Sequence, residues 1–185
     1  KNSNMKNLII IPSRLESSRL PNKPLADING EPMIVHVFNR AREANIANVI
    51  VAAGNIEIKD VIENVGGEAI LTKSDHASGS DRIYEALNLY DKDSSYDNVI
   101  NLQGDLPNIK KDALTKIVSL LDSSNSDIST LGVKISSDQE ILNPNIVKAY
   151  IKNLSENNIV DDFDRSFDLS KKDFLYHHIG IYGYK

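Results

Sequence analysis

The chain has 185 residues, 41% hydrophobic and 25% charged, with a formal net charge of -5 and a pI near 5.4. This suits one globular domain with a sizeable core, and the acidic balance argues against a nucleic-acid-binding face. No apolar run approaches the ~20 residues of a bilayer-spanning helix, no signal-peptide core is present, and the absence of cysteine excludes disulfides and thiolate metal sites.

Residues 8–12 form a short β-branched run, expected to be a buried strand stopped by Pro12. The loop over residues 13–25 carries Arg14, Arg19 and Lys23 against one anion, Glu16, and Pro21 and Pro24 stiffen it around Lys23. Residues 26–30 suggest a turn, and Pro32 suits the first turn of a helix whose inward stripe is Met33, Ile34, Val37, Phe38, Ala41 and Ala44. A second buried strand is expected over residues 48–53, and a helix over 56–65 ended by Gly66 and Gly67. A short strand follows over residues 68–72.

The polar loop of residues 73–81 leads into a helix with Ile83, Ala86, Leu87 and Tyr90 inward, Ser78 or Ser80 being its N-cap. Residues 98–103 suggest a fourth strand, stopping at Gly104, and residues 109–122 an amphipathic helix. Strands are expected over residues 128–135 and 146–151. Residues 153–173 are polar and without period, and 174–184 turn apolar and aromatic, as a last strand. The order of elements predicts a three-layer α/β/α fold on a mixed, mostly parallel, Rossmann-like sheet, as one domain over residues 5–185. A chain that stops on a glycine-containing strand is expected to be incomplete at its C-terminus.

A loop leaving the first strand of such a sheet lies where ligands bind. Three cations with serine and backbone donors suit a polyphosphate, the alternative being a solvated basic loop that binds nothing. Asp105 directly follows the fourth strand on the same inferred edge, where a carboxylate beside phosphates can hold Mg²⁺; alone it could simply shape a turn. Neither a P-loop nor a dinucleotide fingerprint occurs. His36, His76, His177 and His178 lack zinc spacing, no nucleophile elbow is present, and the histidines taken singly suit structural roles.

Seven blocks occur in an order that resembles the 3-deoxy-manno-octulosonate (Kdo) cytidylyltransferase family along nearly the whole chain. They are Ile10-Ile11-Pro12-Ser13-Arg14, Ser18-Arg19-Leu20-Pro21-Asn22-Lys23-Pro24-Leu25, Gly30-Glu31-Pro32-Met33-Ile34, Asp75-His76-Ala77-Ser78-Gly79-Ser80-Asp81-Arg82, Gln103-Gly104-Asp105-Leu106-Pro107, Asn143-Pro144-Asn145-Ile146-Val147-Lys148 and His178-Ile179-Gly180-Ile181-Tyr182-Gly183-Tyr184. The Asp-His-x-Ser-Gly block and the last block are the specific ones.

The resemblance implies a nucleotidyltransferase of the nucleotide-diphospho-sugar transferase type. It would move CMP from CTP to Kdo with release of pyrophosphate, using Mg²⁺, in lipopolysaccharide synthesis. Arg14, Lys23 and Asp105 would be catalytic, with Asp105 on the metal. Ser13, Arg14, Arg19, Lys23, Lys73, Ser78, Gly79, Ser80 and Gln103 would bind the nucleotide, and Gln103, His178 and Tyr182 the sugar. Residues 143–185 would form a sugar-binding and dimerisation subregion of a cytoplasmic homodimer, with no nucleic-acid partner and no membrane insertion. The family pattern also includes an aromatic-Ser-Arg segment before the acidic run at Asp161, and a stretch beyond Tyr184 with a second metal-binding aspartate, neither of which this chain carries. The alternatives are an enzyme acting on a sialic-acid-like sugar, or a non-catalytic nucleotide-binding remnant.

Overall fold

The apolar run near the N-terminus forms strand β1 (Asn7–Ser13), buried along almost its whole length. In this computed structural model, which describes residues 5–16, 21–123, 126–153 and 158–185, β1 is covered on both faces. Ile9 and Ile11 meet helices α1 (Met33–Ala44), α2 (Ile56–Asn64) and α4 (Lys111–Ser123) on one side, while Leu8 and Ile10 meet α3 (Gly79–Tyr90) on the other. Burial of both pleat faces is why β1 has no polar alternation. Three layers follow, as expected.

A two-strand ribbon, β2 (Asp27–Ile28) and β3 (Glu31–Pro32), turns through Asn29 and Gly30, both at positive φ. The ring Nε2 of His36 lies 2.7 Å from the Ile28 carbonyl and ties this ribbon to α1, a structural role. Pro32 lies just before α1 rather than inside its first turn. Strands β4 (Asn48–Ala53), β5 (Ala69–Leu71) and β6 (Asn98–Leu102) join β1 in the parallel order β5-β4-β1-β6. Ser78, not Ser80, caps α3: its Oγ accepts the Asp81 N–H at 3.2 Å.

The other half of the sheet is built on β10 (Leu175–Tyr184), which runs antiparallel to its three partners. One edge pairs β7 (Ile128–Lys134). The other edge pairs β6 near Tyr184 and β8 (Lys148–Tyr150) near Leu175, and β8 carries β9 (Asp162–Asp164). Only β10 and β9 oppose the remaining strands of the eight-stranded sheet, so the mixed, mostly parallel expectation holds.

Beside the ribbon, the sequence did not foresee β9 and a 3-10 turn (Leu169–Phe174) in the stretch expected to be irregular, or α5 (Asp138–Leu142). Each is too short to show a period. β9 is exposed Asp-Phe-Asp, held by pairing with β8, and the buried Lys148 ammonium beneath it donates to the carbonyls of Asn143 (2.7 Å) and Arg165.

Helix α4 lies directly on β10 at Gly183, where a Cβ would come within 2.5 Å of Leu121 Cδ1 and 2.9 Å of Ile117 Cγ2. Gly183→Ala is therefore expected to destabilise the fold by about 1–3 kcal/mol through overpacking. The reading is a lower urea midpoint at unchanged slope.

Candidate active site

The carboxyl ends of β4, β1 and β6 and the start of α3 meet around Pro12, Ser13 and Arg14. Glycines permit the approach. A Cβ on Gly79 would lie 3.3 Å from Pro12 Cγ, one on Gly104 3.0 Å from the Pro12 carbonyl oxygen, and one on Gly54 3.1 Å from Arg14 Cβ. The Gly54 N–H also donates to the Ser13 carbonyl at 2.8 Å. Three loops thereby close on one strand end, leaving a cleft of about 250 Å³ bordered by Ser13, Arg14, Ala77, Ser78, Gly79 and Gln103.

Hydrogen bonds fix the loop after β1. Asn55 accepts the Leu15 N–H at 2.9 Å and donates to Glu16 at 2.7 Å, and that second bond is the first cause of the lowered Glu16 pKa. The Asn22 N–H, at a residue in left-handed conformation, returns to the Leu15 carbonyl at 3.0 Å. Arg14 donates from Nη1 to the His76 carbonyl at 3.3 Å, joining this loop to the one before α3. Lys23, in a short 3-10 turn (Lys23–Leu25), brings its ammonium 3.8 Å from the Asp105 carboxylate. Both side chains are substantially exposed, at 41% and 57%, so this contact is screened and exchangeable.

The loop before α3 hangs on two residues whose importance is not legible from spacing. Arg82, only 2% exposed, donates from Nη1 to Thr72 Oγ1 and to the Lys73 carbonyl, each at 2.7 Å, and from Nη2 to the Ser74 carbonyl at 3.2 Å. Burial first, and the nearby Arg14 cation second, lower its pKa. Gly54 leaves room for this guanidinium, since a Cβ there would meet Nη1 at 2.6 Å. Glu85 holds the His76 ring and accepts the Lys73 N–H at 3.2 Å. A motif block ending in Arg82 pointed at the first; nothing in the sequence marked Glu85.

The structure brings together Ser13, Arg14, Ser78, Gly79 and Gln103 around the cleft, with Lys23 and Asp105 paired nearby. The Ser13 hydroxyl is buried with no hydrogen-bond partner among the described residues. Lys73 and Ser80 are exposed outside that lining: Lys73 contributes backbone groups to the loop, and Ser80 follows the cap. Arg19 lies outside the described residues.

Gln103 joins two regions. Its N–H donates to the Gly180 carbonyl at 3.3 Å, and its side chain packs where a Gly180 Cβ would be, 2.7 Å from Cγ. Beyond it lie His178 and Tyr182, with ring centroids 5.0 Å apart, and Phe163 edge-on to His178 at 5.2 Å. A second cleft of about 580 Å³ opens beside Tyr182, Thr130, Phe163 and Ile159. Among the described residues no group of three or more His, Asp or Glu could hold a metal ion, and no helix is long and apolar enough to cross a membrane.

Comparison with known proteins gives the family. Residues 8–185 match the family model described as cytidylyltransferase. The 3-deoxy-manno-octulosonate cytidylyltransferase of Brucella ovis is 47% identical over 183 residues, 98% of this chain and 73% of that protein. The protein of the same name from Brucella anthropi is 45% identical over 98% of this chain and 74% of its own length. Among solved structures, CMP:2-keto-3-deoxy-manno-octonic acid synthetase complexed with CTP superposes with a TM-score of 0.84 at 36% identity, over 97% of this chain and 74% of that one. The 4-diphosphocytidyl-2C-methyl-D-erythritol synthase of Anaerococcus prevotii shares the fold, with a TM-score of 0.63 at 13% identity over 98% of this chain and 71% of its own.

The Glu85 pKa is lowered, first by the His76 hydrogen bond, then by the Lys73 N–H and cations. A depressed carboxyl stabilises the fold fully above its unfolded value, about 4.3, and loses that contribution as pH falls through the folded value. Wild type should therefore be more stable than Glu85→Gln at pH 7, with the difference shrinking below about pH 4.3. Urea unfolding at pH 7 and at acid pH measures this.

Proposed function

The chain belongs to the cytidylyltransferase family, and on that premise we propose that it transfers CMP from CTP to Kdo, releasing pyrophosphate. One observation carries the placement of the chemistry: the loop after β1 and the loop after β6 converge, with Lys23 3.8 Å from Asp105, beside a cleft bordered by Ser13 and Arg14. In this reading the sugar's anomeric oxygen forms the new bond to the α-phosphorus, the α–β bridging P–O bond breaks, and the hydroxyl proton passes to solvent. Such a transfer asks a protein for positioning and charge stabilisation rather than covalent chemistry.

Arg14, fixed by the His76 carbonyl, and Lys23 would clamp the triphosphate, with Arg19 assisting. The start of α3 borders the same cleft at Ser78 and Gly79, and a helix N-terminus there would suit an anion or ribose oxygens. Lys73 and Ser80 would contribute to the nucleotide from the rim. Gln103 would lie between nucleotide and sugar, and His178 and Tyr182 on the sugar side, as the contact of Gln103 with Gly180 supports.

Asp105 is the group proposed to hold Mg²⁺. A single exposed carboxylate fits an ion that keeps several waters and takes its other ligands from substrate phosphates, not a preformed protein cage. When bound, the ion would neutralise phosphate charge. Until then the Lys23 ammonium, at 3.8 Å, balances the Asp105 carboxylate.

A homodimer in the cytoplasm completes the proposal. Edge strand β7, which exposes Ile128 and Val133, supports self-association.

Pyrophosphate release from CTP should depend on Kdo; release with a sialic acid and not with Kdo would reassign the sugar. Asp105→Asn should lower turnover by about 10²-fold or more at saturating Mg²⁺ without changing the melting profile, because it removes the metal carboxylate. Lys23→Ala should lower kcat by a larger factor than it weakens CTP binding, if the ammonium acts mainly on the transition state. Steady-state kinetics alongside CTP titration separates that from a ground-state clamp, which would weaken both equally.

A further inference from the structure

Strand β10 is interrupted where it matters for the sugar side. Its register with β7 runs Ile179 to Leu131 and then jumps to Tyr182 opposite Thr130, so that Gly180 and Ile181 have no counterpart in β7. A bulge of this kind re-aims neighbouring side chains. Here it lets Thr130 Oγ1 reach two groups on β10: the Ile181 carbonyl oxygen at 2.6 Å and His178 Nε2 at 2.8 Å.

A hydroxyl has one proton to donate. The Ile181 carbonyl can only accept, so that proton goes to Ile181, and Thr130 oxygen must accept from His178. His178 Nε2 therefore carries hydrogen. His178 is 9% exposed, its backbone N–H is fixed to the Val147 carbonyl at 2.9 Å, and Phe163 and Tyr182 flank the ring. Burial first, and His177 second, disfavour the charged ring, which leaves it neutral near pH 7.

We infer that Thr130 is a positioning residue that fixes His178 in its Nε2–H tautomer, so that Nδ1 presents a lone pair and accepts a hydrogen bond from a hydroxyl of the sugar. This rests on the placement of His178 at the sugar side in the proposed function. The assignment is selective by chemistry. An ionised sugar carboxylate has only acceptors and gains nothing from Nδ1, so it must be met by cations or N–H donors elsewhere, while a hydroxyl is recognised here. Without Thr130 the ring is free to invert its tautomer and to present N–H where a lone pair is needed.

The experiment compares wild type, Thr130→Val and Thr130→Ser, all ¹⁵N-labelled at histidine. Long-range ¹H–¹⁵N spectra of the ligand-free proteins near pH 7.5 report the His178 tautomer directly. Wild type and Thr130→Ser should show protonated Nε2 and bare Nδ1, and Thr130→Val a mixture. In kinetics, losing one such hydrogen bond should raise the KM for Kdo about tenfold in Thr130→Val, with the KM for CTP within about twofold of wild type and Thr130→Ser near normal. A protonated Nδ1 in wild type, or an unchanged tautomer in folded Thr130→Val, overturns the role of Thr130. A lost tautomer with unchanged KM for Kdo overturns the hydroxyl contact at His178 instead, and a loss of Kdo-dependent turnover in wild type itself would reject the underlying function.

Discussion

Everything in the candidate site depends on how closely other backbones can approach the carboxyl end of β1. Pro12 and Arg14 are met by Gly54, Gly79 and Gly104 from three separate segments, at distances where an added Cβ would fall within 3.0–3.3 Å of Pro12 or Arg14 atoms. Parallel strands sharing one edge supply the convergence, and the glycines convert it into contact. Larger residues would hold the loops apart, and the cleft would widen into a groove without convergent donors.

The second requirement is to stop those loops from moving. Polar residues behind the site do this. Arg82 satisfies two carbonyls and a threonine hydroxyl from a nearly fully buried position, and Asn55 and Glu85 fix the loops on either side. A buried guanidinium is costly unless its donors are used, and here they are used on backbone that would otherwise be free. The groups proposed to act on substrate, Arg14, Lys23 and Asp105, remain exposed and are only loosely paired. Rigid support under exposed cations and a carboxylate is what positioning chemistry needs.

The proposed sugar side is assembled by another device. β10 runs antiparallel into a parallel sheet, pairs two different strands along one edge, and bulges between Ile179 and Tyr182. Gly180, inside the bulge, lies against the Gln103 side chain, which borders the cleft at Ser13 and Arg14, while on the same strand His178 packs against Tyr182 and Phe163. The glycine-containing final run thus joins the cleft to the regions proposed to bind the sugar.

Much of the fold and part of the site were legible in the chain itself. Apolar periodicity placed the main helices and strands, because burying one or two faces imposes a pattern on neighbouring residues. Ser78 at a cap, Gly66 after a helix and Asn29-Gly30 in a turn answer equally local demands. The cations of the first loop, Asp105, Gln103, His178 and Tyr182 were visible as motif residues. The role of Asn55 and the role proposed for Thr130 were not, because each acts through a partner far along the chain, His178 being 48 residues from Thr130 and Leu15 being 40 residues from Asn55; Glu85 has its partner His76 only 9 residues away, but no motif or period links the two. Which loops share a sheet edge, where β10 slips register, and which polar group ends beneath which carbonyl are set by strand pairing across the whole molecule. Local sequence determined what would be buried; only the tertiary structure decided what it would be buried against.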